Sequence, residues 1–327
     1  ACSLYIGGGS PSFLPLSLIL KLLKECFTLL NFTPNPELSI EANPHHVSPA
    51  WAQALLTAGI NRVSLGLQSL NDYHLASLGR IHDAASARHA CSILRAAGLT
   101  NLSLDLIFGI PNQSMDSWRV TLEDVVTNLH PEHLSLYALD LSRSSTLARI
   151  RTSSPTRYKW PDDELVMDMY WFAIDFLAQY GYQHYEISNL ARPGYACQHN
   201  LAYWDTQKHY LGLGAAAHSY CALLPHQQPR RFHNIYHPRT YCERVLAGHG
   251  WRKYARPLSH RQQLGEEIYL GLRRISGIHL RPDHLRHYSD TIATLISQKL
   301  LQTLPSGAIA LTHRGIELAN TVMANFV

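Results

Sequence analysis

The stretch ACSLYIGGGSPSFLP, residues 1–15, decides how the fold of this chain is interpreted. Tyr5 and Ile6 suit a buried strand, and three glycines follow them directly at residues 7–9. Glycine adopts backbone angles that other residues avoid, and it lets a ligand approach the main chain closely. The stretch is neither a G-x-G-x-x-G dinucleotide fingerprint nor a P-loop, which would end in Gly-Lys-Ser/Thr. Two interpretations stay open: a plain strand-to-helix turn, or a loop that presents bare backbone groups to a small ligand.

Composition places the chain among globular proteins. Its 327 residues are 46% hydrophobic, enough for one large domain or for a large and a small one. The formal net charge of +4 is too weak a bias to indicate binding to nucleic acid. No run of 18 apolar residues occurs, so the sequence predicts no transmembrane helix. The six cysteines are scattered without a C-x-x-C pair, and no signal peptide is evident, which favours a cytoplasmic location.

Strand-like and helix-like segments alternate along the first 190 residues. The sequence predicts strands at 3–6, 38–44, 61–69, 101–111, 133–140 and 181–189. It predicts helices at 16–30, 48–59, 71–78, 82–97, 116–129 and 162–180. This alternation indicates parallel strands joined by crossovers, and the short apolar strands suggest a sheet that is covered on both faces. Because the nucleotide fingerprint is missing, we predict an α/β fold with a barrel or a partial (β/α) barrel rather than a Rossmann sheet.

Polar residues collect at the predicted carboxyl ends of successive strands. They are the segment 7–10, Glu41, Asn43, Gln68, Asp105, Tyr137, Glu186 and Asn189. In βα barrels this edge of the sheet carries the active site. One such residue alone is more often a cap or a turn, but the repetition over six strands predicts a functional cleft.

The character of the sequence changes after residue 220. Residues 225–241 are polar and irregular, and helical periodicity returns from Ser259. We therefore predict a partial barrel over residues 1–222, a linker or wrapping segment over 223–258, and a small C-terminal domain over 259–327. The last part has the pattern of helices with a small hairpin, which predicts a mostly helical, winged-helix-like domain.

Seven motifs occur in the order found in one family. They are YIGGGSPS (5–12), SIEANP (39–44), RVSLGLQS (62–69), LGRIH (78–82), LDLIFGIP (104–111), HYEISNLARPG (184–194) and HNLAYW (199–204). Together they resemble radical S-adenosylmethionine (SAM) proteins related to oxygen-independent coproporphyrinogen III oxidase, and among these the HemW-type heme chaperones. The resemblance covers nearly the whole chain, including a C-terminal domain like that of the oxidase HemN.

The resemblance implies a barrel of the radical SAM type with SAM bound at the ends of its strands. The SAM contacts that it implies are Gly8, Gly9, Ser10, Glu41, Gln68, Arg80, Asp105 and Ala138. Carboxylates accept hydrogen bonds from the ammonium or hydroxyl groups of SAM, and an arginine pairs with its carboxylate. Ser10 stands where threonine is usual and keeps the hydroxyl. Without the resemblance, Arg80 would be interpreted as a surface charge at a helix end.

In this family a C-x-x-x-C-x-x-C motif ahead of the Gly-rich strand holds a [4Fe-4S] cluster. The six cysteines of this sequence do not form that motif, so no metal ligands are predicted within it. Either the chain is a fragment that lacks the first βα unit, or it is a form that cannot hold the cluster. The retained SAM positions favour the fragment.

HNLAYW is the motif that the resemblance associates with heme binding. It implies heme contacts at His199, Asn200, Tyr203 and Trp204. An imidazole ligates heme iron, and the two aromatic rings offer flat apolar surface to a porphyrin. The alternative is a packed loop at the end of the barrel. Further candidates are Cys197, Glu186 and His218.

The resulting hypothesis is a heme chaperone that binds heme and SAM and delivers heme to an acceptor protein, with a membrane respiratory enzyme as a candidate acceptor. The alternatives are oxidative decarboxylation of coproporphyrinogen III and an inactive, truncated relative, so enzymatic activity stays open. A lyase with a Schiff-base lysine is disfavoured, because no lysine lies at a predicted strand end.

Overall fold

The computed structural model describes residues 1–141, 146–221, 230–254 and 257–327. The chain forms two compact units, Ala1–Gln198 and His199–Val327. The predicted division at residues 222 and 258 stays a prediction. Residues 223–229 and 255–256 of the predicted linker, and residue 222 of the predicted barrel, lie outside the described residues. The described linker residues 230–254 contain two strands and a helix.

The first unit is an α/β structure with a seven-stranded sheet. Its strands are β1 (Ser3–Ile6), β2 (Glu37–Ala42), β3 (Arg62–Gln68), β4 (Leu102–Phe108), β5 (His133–Ala138), β6 (Gln183–Glu186) and β7 (Asn189–Ala191). Its helices are α1 (Leu16–Leu29), α2 (Pro49–Thr57), α3 (Asp72–Ser77), α4 (Ala84–Ala96), α5 (Met115–Asp124), α6 (Thr146–Ser153) and α7 (Asp163–Gln179). A π-helical turn, Val125–Leu129, continues α5.

The strands lie in the order β1-β2-β3-β4-β5-β7-β6 and form a curled half-barrel. Strands β1 to β5 pair in parallel, which confirms the predicted partial barrel. The prediction of a single strand at 181–189 is wrong. The chain reverses at Ile187 and Ser188, so β7 is antiparallel to both β6 and β5 and lies between them.

The two faces of the sheet differ in chemistry because the strands alternate strictly. In β2, β3 and β4 the residues Leu38, Ile40, Val63, Leu65 and Leu104 are buried, and each pairs with an apolar residue in the neighbouring strand. The residues between them are polar and pair in the same way, so they line the opposite face. One face of the sheet is therefore apolar and the other is polar, and the prediction that both faces are covered stays a prediction.

Side-chain caps fix where the helices begin and thereby place the loops at the strand ends. The Ser48 hydroxyl accepts a hydrogen bond from the Trp51 amide at 3.2 Å, and Pro49 lies in the first turn, where its missing N–H leaves no hydrogen bond unmade. Asn71 and Asp83 cap α3 and α4 in the same manner. These polar caps hold the segments that connect the carboxyl ends of the strands to the next helices.

The second unit begins within helix α8 (Gln198–Tyr203). It contains an antiparallel sheet of β8 (His218–Cys221), β9 (Arg230–Asn234) and β10 (Arg252–Tyr254), and the helix α9 (Pro238–Leu246). Its remaining elements are α10 (His260–Gly271), α11 (Pro282–Ser297), the hairpin β11 (Leu301–Thr303) and β12 (Ile309–Leu311), α12 (His313–Glu317) and α13 (Ala319–Met323). The predicted C-terminal helices with a small hairpin are thus present. No helix in the described part of the chain is long and apolar enough to cross a membrane.

Candidate functional site

The Gly-rich turn after β1 encloses the carboxylate of Glu41. The Tyr5 hydroxyl donates a hydrogen bond to Glu41 Oε1 at 2.9 Å, and the backbone amides of Gly8 and Gly9 donate to the same carboxylate. Burial raises the pKa of Glu41 above its ordinary value, while these hydrogen bonds oppose the rise. Gly8 has a φ of +79°, a conformation that favours glycine. The turn therefore gives two of its amides to Glu41 and leaves open space beside its Cα atoms at residues 8 and 9.

Asp105 lies in the middle of the polar face. The Ser64 hydroxyl donates to its carboxylate at 3.1 Å, and the Ser135 side chain also hydrogen-bonds to it. Burial raises the pKa of Asp105 to about 6, although both serines and the guanidinium of Arg62 favour the ionised form. Burial therefore disfavours the charged form of this carboxylate, and the two serines and Arg62 offset that effect only in part.

Arg80 interacts with the same carboxylate, and Gln68 lies on the adjacent strand β3, paired with Leu106 of β4. Gln68 is buried at a register shift between β3 and β4, with a φ of +66°. The side-chain amide of Gln68 lies against Gly66. If residue 66 had a Cβ atom, that atom would be only 2.9 Å from Gln68 Nε2. Burial lowers the pKa of Arg80, and the charge of Asp105 raises it, so the two charged groups interact. The structure thus brings Gln68, Arg80, Asp105 and Glu41 to one polar surface.

Two of the expected SAM residues lie at the rim of this surface. Ser10 is exposed at the start of a short 3₁₀ turn, Pro11–Phe13, and its side chain makes no capping hydrogen bond. Ala138 is exposed at the last position of β5. The assignment of the eight residues to SAM stays a prediction.

A second polar cluster lies at the beginnings of the strands and was not predicted. His133 hydrogen-bonds through Nδ1 to the Ser103 hydroxyl and through Nε2 to the Tyr185 hydroxyl, each at 2.8 Å. Burial holds the pKa of His133 well below its ordinary value. The buried Arg62 lies near this cluster, and the period-two pattern of its strand, RVSLGLQ, is the signal that could have placed it on the polar face.

Cys197 is buried against the first residue of β2. Its thiol donates to Glu37 Oε1 at 3.3 Å, and the Gln198 amide donates to Glu37 Oε2 at 2.9 Å. Glu186, the other candidate of this unit, is buried and accepts a hydrogen bond from the side-chain amide of Asn189. Both residues therefore have partners inside the first unit.

The cysteines do not fit an iron–sulfur cluster. No group of three or more Cys, His, Asp or Glu side chains in the described ranges could hold a metal ion. The six cysteines form no disulfide and lie far apart in the sequence, at residues 2, 26, 91, 197, 221 and 242. A [4Fe-4S] cluster needs three or four thiolates at one place, so the residues present supply no such site.

The HNLAYW segment forms α8 and the turn after it, in the second unit. His199 Nε2 lies 3.0 Å from the Tyr203 hydroxyl, and their rings meet edge to face at 5.0 Å. The exposed Tyr203 ring also packs edge to face on Tyr210 at 4.5 Å, and Trp204 lies beside Tyr203. Asn200 is half-buried on the same short helix. Three of the four expected heme residues therefore form one aromatic cluster that is partly open to solvent.

His218, the last candidate, lies on β8 away from the HNLAYW helix in sequence. Its ring stacks on that of His233 in β9 at 5.4 Å, and Tyr236 packs against both. The cross-strand pairing of the two histidines accounts for this contact.

Comparison with known proteins assigns the family. The model of the radical SAM superfamily matches residues 3–125. The heme chaperone HemW of Lactococcus lactis is 31% identical over 332 residues, covering 99% of this chain and 84% of that protein. The chain belongs to the HemW family of radical SAM proteins. HemW of Mycobacterium tuberculosis is 35% identical over 288 residues, covering 85% of this chain and 69% of that protein.

The fold has a solved counterpart outside the HemW family. Coproporphyrinogen III oxidase (HemN) from Escherichia coli superposes with a TM-score of 0.80 over 99% of this chain and 77% of that one. At 22% identity this likeness shows the fold alone. It confirms the radical SAM-type half-barrel predicted from the sequence, and the HemW relatives confirm the resemblance on which the site residues were chosen.

Proposed function

We propose that this protein is a heme chaperone that binds heme at the HNLAYW segment and transfers it to an acceptor protein. The observation that supports this proposal most directly is the aromatic cluster of His199, Tyr203 and Trp204. It combines an imidazole with flat aromatic rings that are partly exposed to solvent. Imidazole is a common axial ligand of heme iron. The curated HemW relatives, which are named heme chaperones, support the same assignment.

The proposal extends to SAM at the polar face of the first unit. The residues fit a cationic ligand with hydroxyl groups, because Glu41 and Asp105 are acceptors and the space beside Gly8 and Gly9 is open. Arg80 supplies a cation for the ligand's carboxylate. In radical SAM proteins the cofactor, together with a reduced iron–sulfur cluster, supplies radical chemistry. We assign no reaction step to a cluster here, since the cysteines present do not fit one.

A coproporphyrinogen III oxidase is the second function considered. The likeness to HemN concerns the fold, and no observation in the described residues favours decarboxylation over heme binding. Oxidase activity is therefore the alternative that a failed heme-binding experiment would favour.

The test is a titration of the protein with hemin, followed by absorbance in the Soret region. We expect saturable binding of one hemin per chain, loss of that binding in His199→Ala, and unchanged binding in His249→Ala. His249 is the control because it is an exposed histidine of the same unit. Equal binding by His199→Ala and the wild type, or no binding by either, would overturn the chaperone proposal and leave the oxidase as the activity to assay.

A further inference from the structure

The aromatic cluster has a cation attached to it. The guanidinium of Arg273, which follows α10, lies 4.2 Å from the centroid of the Trp204 ring. A guanidinium held against an aromatic face is restricted in orientation. Its N–H groups point outward in the plane of the guanidinium and can still donate hydrogen bonds. HNLAYW itself contains no arginine or lysine, so Arg273 brings the positive charge to this segment.

Two N–H groups at this contact lack acceptors within the described residues. Trp204 Nε1 and Arg273 Nε are both buried without a hydrogen-bond partner in the described structure, and so is Nε of the adjacent Arg274. Buried donors normally have partners, because leaving one unpaired costs free energy. Such a group of donors is suited to a ligand that brings its own acceptor oxygens.

Four other arginines of this unit have carboxylate partners in the described residues. Arg231 pairs with Glu266 at 2.8 Å, and Arg281 pairs with Glu267 at 2.5 Å. Within residues 199–221, 230–254 and 257–327, no carboxylate lies within ion-pair distance of Arg273 or Arg274. The charge on Arg273 is therefore not used to neutralise an acidic side chain of the same unit.

We propose that Arg273, oriented by Trp204, binds a propionate carboxylate of heme. This inference rests on the proposed function, since it concerns the ligand assigned to HNLAYW. Heme carries its charge on two propionates at one edge of an otherwise apolar ring. A site with an imidazole for the iron and aromatic rings for the macrocycle needs a donor for that edge, and an arginine forms strong, charge-assisted hydrogen bonds to carboxylates. Trp204 thus serves two purposes: its face holds the guanidinium, and its ring contributes apolar surface.

The experiment compares hemin with hemin dimethyl ester, in which the propionates are esterified and uncharged. Each ligand is titrated into the wild type, Arg273→Gln, Arg273→Lys and Arg314→Gln. Arg314 is the matched control, an exposed arginine on α12 of the same unit. The thermal midpoint of each variant shows whether it is folded, and Arg273→Lys keeps the charge if Arg273→Gln does not fold.

We expect Arg273→Gln to weaken the binding of hemin about tenfold, as for a lost charge-assisted hydrogen bond, and to leave the binding of the dimethyl ester unchanged. The wild type should bind the ester about tenfold more weakly than hemin, with Arg273→Lys between the wild type and Arg273→Gln. An equal loss for both ligands, or no loss for hemin, overturns the role of Arg273 while heme binding by HNLAYW stands. If the wild type binds neither ligand, the proposed function fails, and the assignment of Arg273 fails with it.

Discussion

The carboxylate of Glu41 occupies the place that a side chain at Gly7 would need. A Cβ at Gly7 would lie 2.6 Å from Glu41 Oε1 and 2.6 Å from Tyr5 Cε1, closer than real Cβ contacts allow. Two residues on neighbouring strands thereby exclude any side chain at the first glycine of the GGG run. The second and third glycines have no such neighbours, so packing restricts side-chain size only at the first of the three.

We expect Gly7→Ala to destabilise the fold by about 1–3 kcal/mol, since the added methyl must displace the hydrogen-bonded pair Tyr5–Glu41. Gly9→Ala is the matched control, because nothing lies within 4 Å of its Cβ and its φ is not in the left-handed region. Urea unfolding measures both variants. The same loss of stability in both would contradict the steric explanation.

Gly9→Ala also tests the SAM proposal. Its methyl group would fill the open space beside the turn, so we expect unchanged stability together with weaker SAM binding by calorimetry. Binding as strong as in the wild type would show that SAM does not approach this turn.

Asp105→Asn should make the protein more stable at neutral pH. The pKa of Asp105 is raised to about 6, so the folded state holds its proton more tightly than the unfolded state, and keeping the carboxylate ionised costs free energy above that pH. With an ordinary pKa near 3.8, the cost at pH 7.5 is at most about 3 kcal/mol and falls to about 1 kcal/mol at pH 4.5. We therefore expect the gain in unfolding free energy to shrink as the pH falls.

Denaturant unfolding at both pH values checks this, with Asp175→Asn as the control because Asp175 is an exposed aspartate on α7. A gain that does not depend on pH would show that the effect is not one of ionisation. If Asp105 also accepts from SAM, the stabilised variant should bind SAM more weakly.

His133→Asn should change the pH dependence of the unfolding free energy in the direction opposite to Asp105→Asn. Folding depresses the pKa of His133, so the unfolded state binds a proton below about pH 6.5 that the folded state does not. The wild type therefore loses about 1.4 kcal/mol from this residue between pH 7.5 and pH 5.5. The stability difference between wild type and His133→Asn should narrow by that amount at pH 5.5, whereas the exposed His249→Asn should show no such narrowing. A constant difference would show that His133 is protonated in the folded protein.

The Tyr203 hydroxyl competes with heme iron for His199 in the proposed site. It lies 3.0 Å from Nε2, so ligation through that nitrogen requires the contact to open. We expect Tyr203→Phe to strengthen hemin binding about two- to tenfold, since one hydrogen bond is lost and the ring that packs on Tyr210 stays. Tyr236→Phe, which removes a hydroxyl from an exposed tyrosine of the same unit, should have no effect. Weaker binding in Tyr203→Phe would mean that the hydroxyl contacts the ligand itself.

The sequence predicted well those helix starts that are determined by residues at the helix terminus itself. Ser48 followed by Pro49, and Asn71 before α3, mark helix starts that the caps confirm. The reversal at 187–188 was missed because the segment HYEISNL contains no glycine or proline to announce a turn. The polar face was missed because isolated serines such as Ser64 and Ser135 are small and common, although they alternate strictly with apolar residues.

Contacts between distant parts of the chain could not be predicted from the motifs. Trp204 and Arg273 lie 69 positions apart, and Cys197 and Glu37 lie 160 apart. No period or spacing in one sequence relates such pairs, since only the folded backbone brings them together. Most of the candidate SAM residues could be named because they belong to motifs in or after strands, although Arg80 lies in the LGRIH motif after α3 and Ala138 lies outside the seven motifs. Their supporting residues lie inside strands.

The strict alternation in β2 to β5 has a consequence for how this protein can change. Every second strand residue is committed to the apolar layer, and the residues between them face away from it. The polar side itself is graded: Arg62, Ser103 and His133, near the beginnings of the strands, are buried, whereas Glu41 and Tyr137, nearer the carboxyl ends, are half-buried or exposed. Substitutions near the carboxyl ends can therefore change charge or shape while the apolar layer that maintains the fold remains intact.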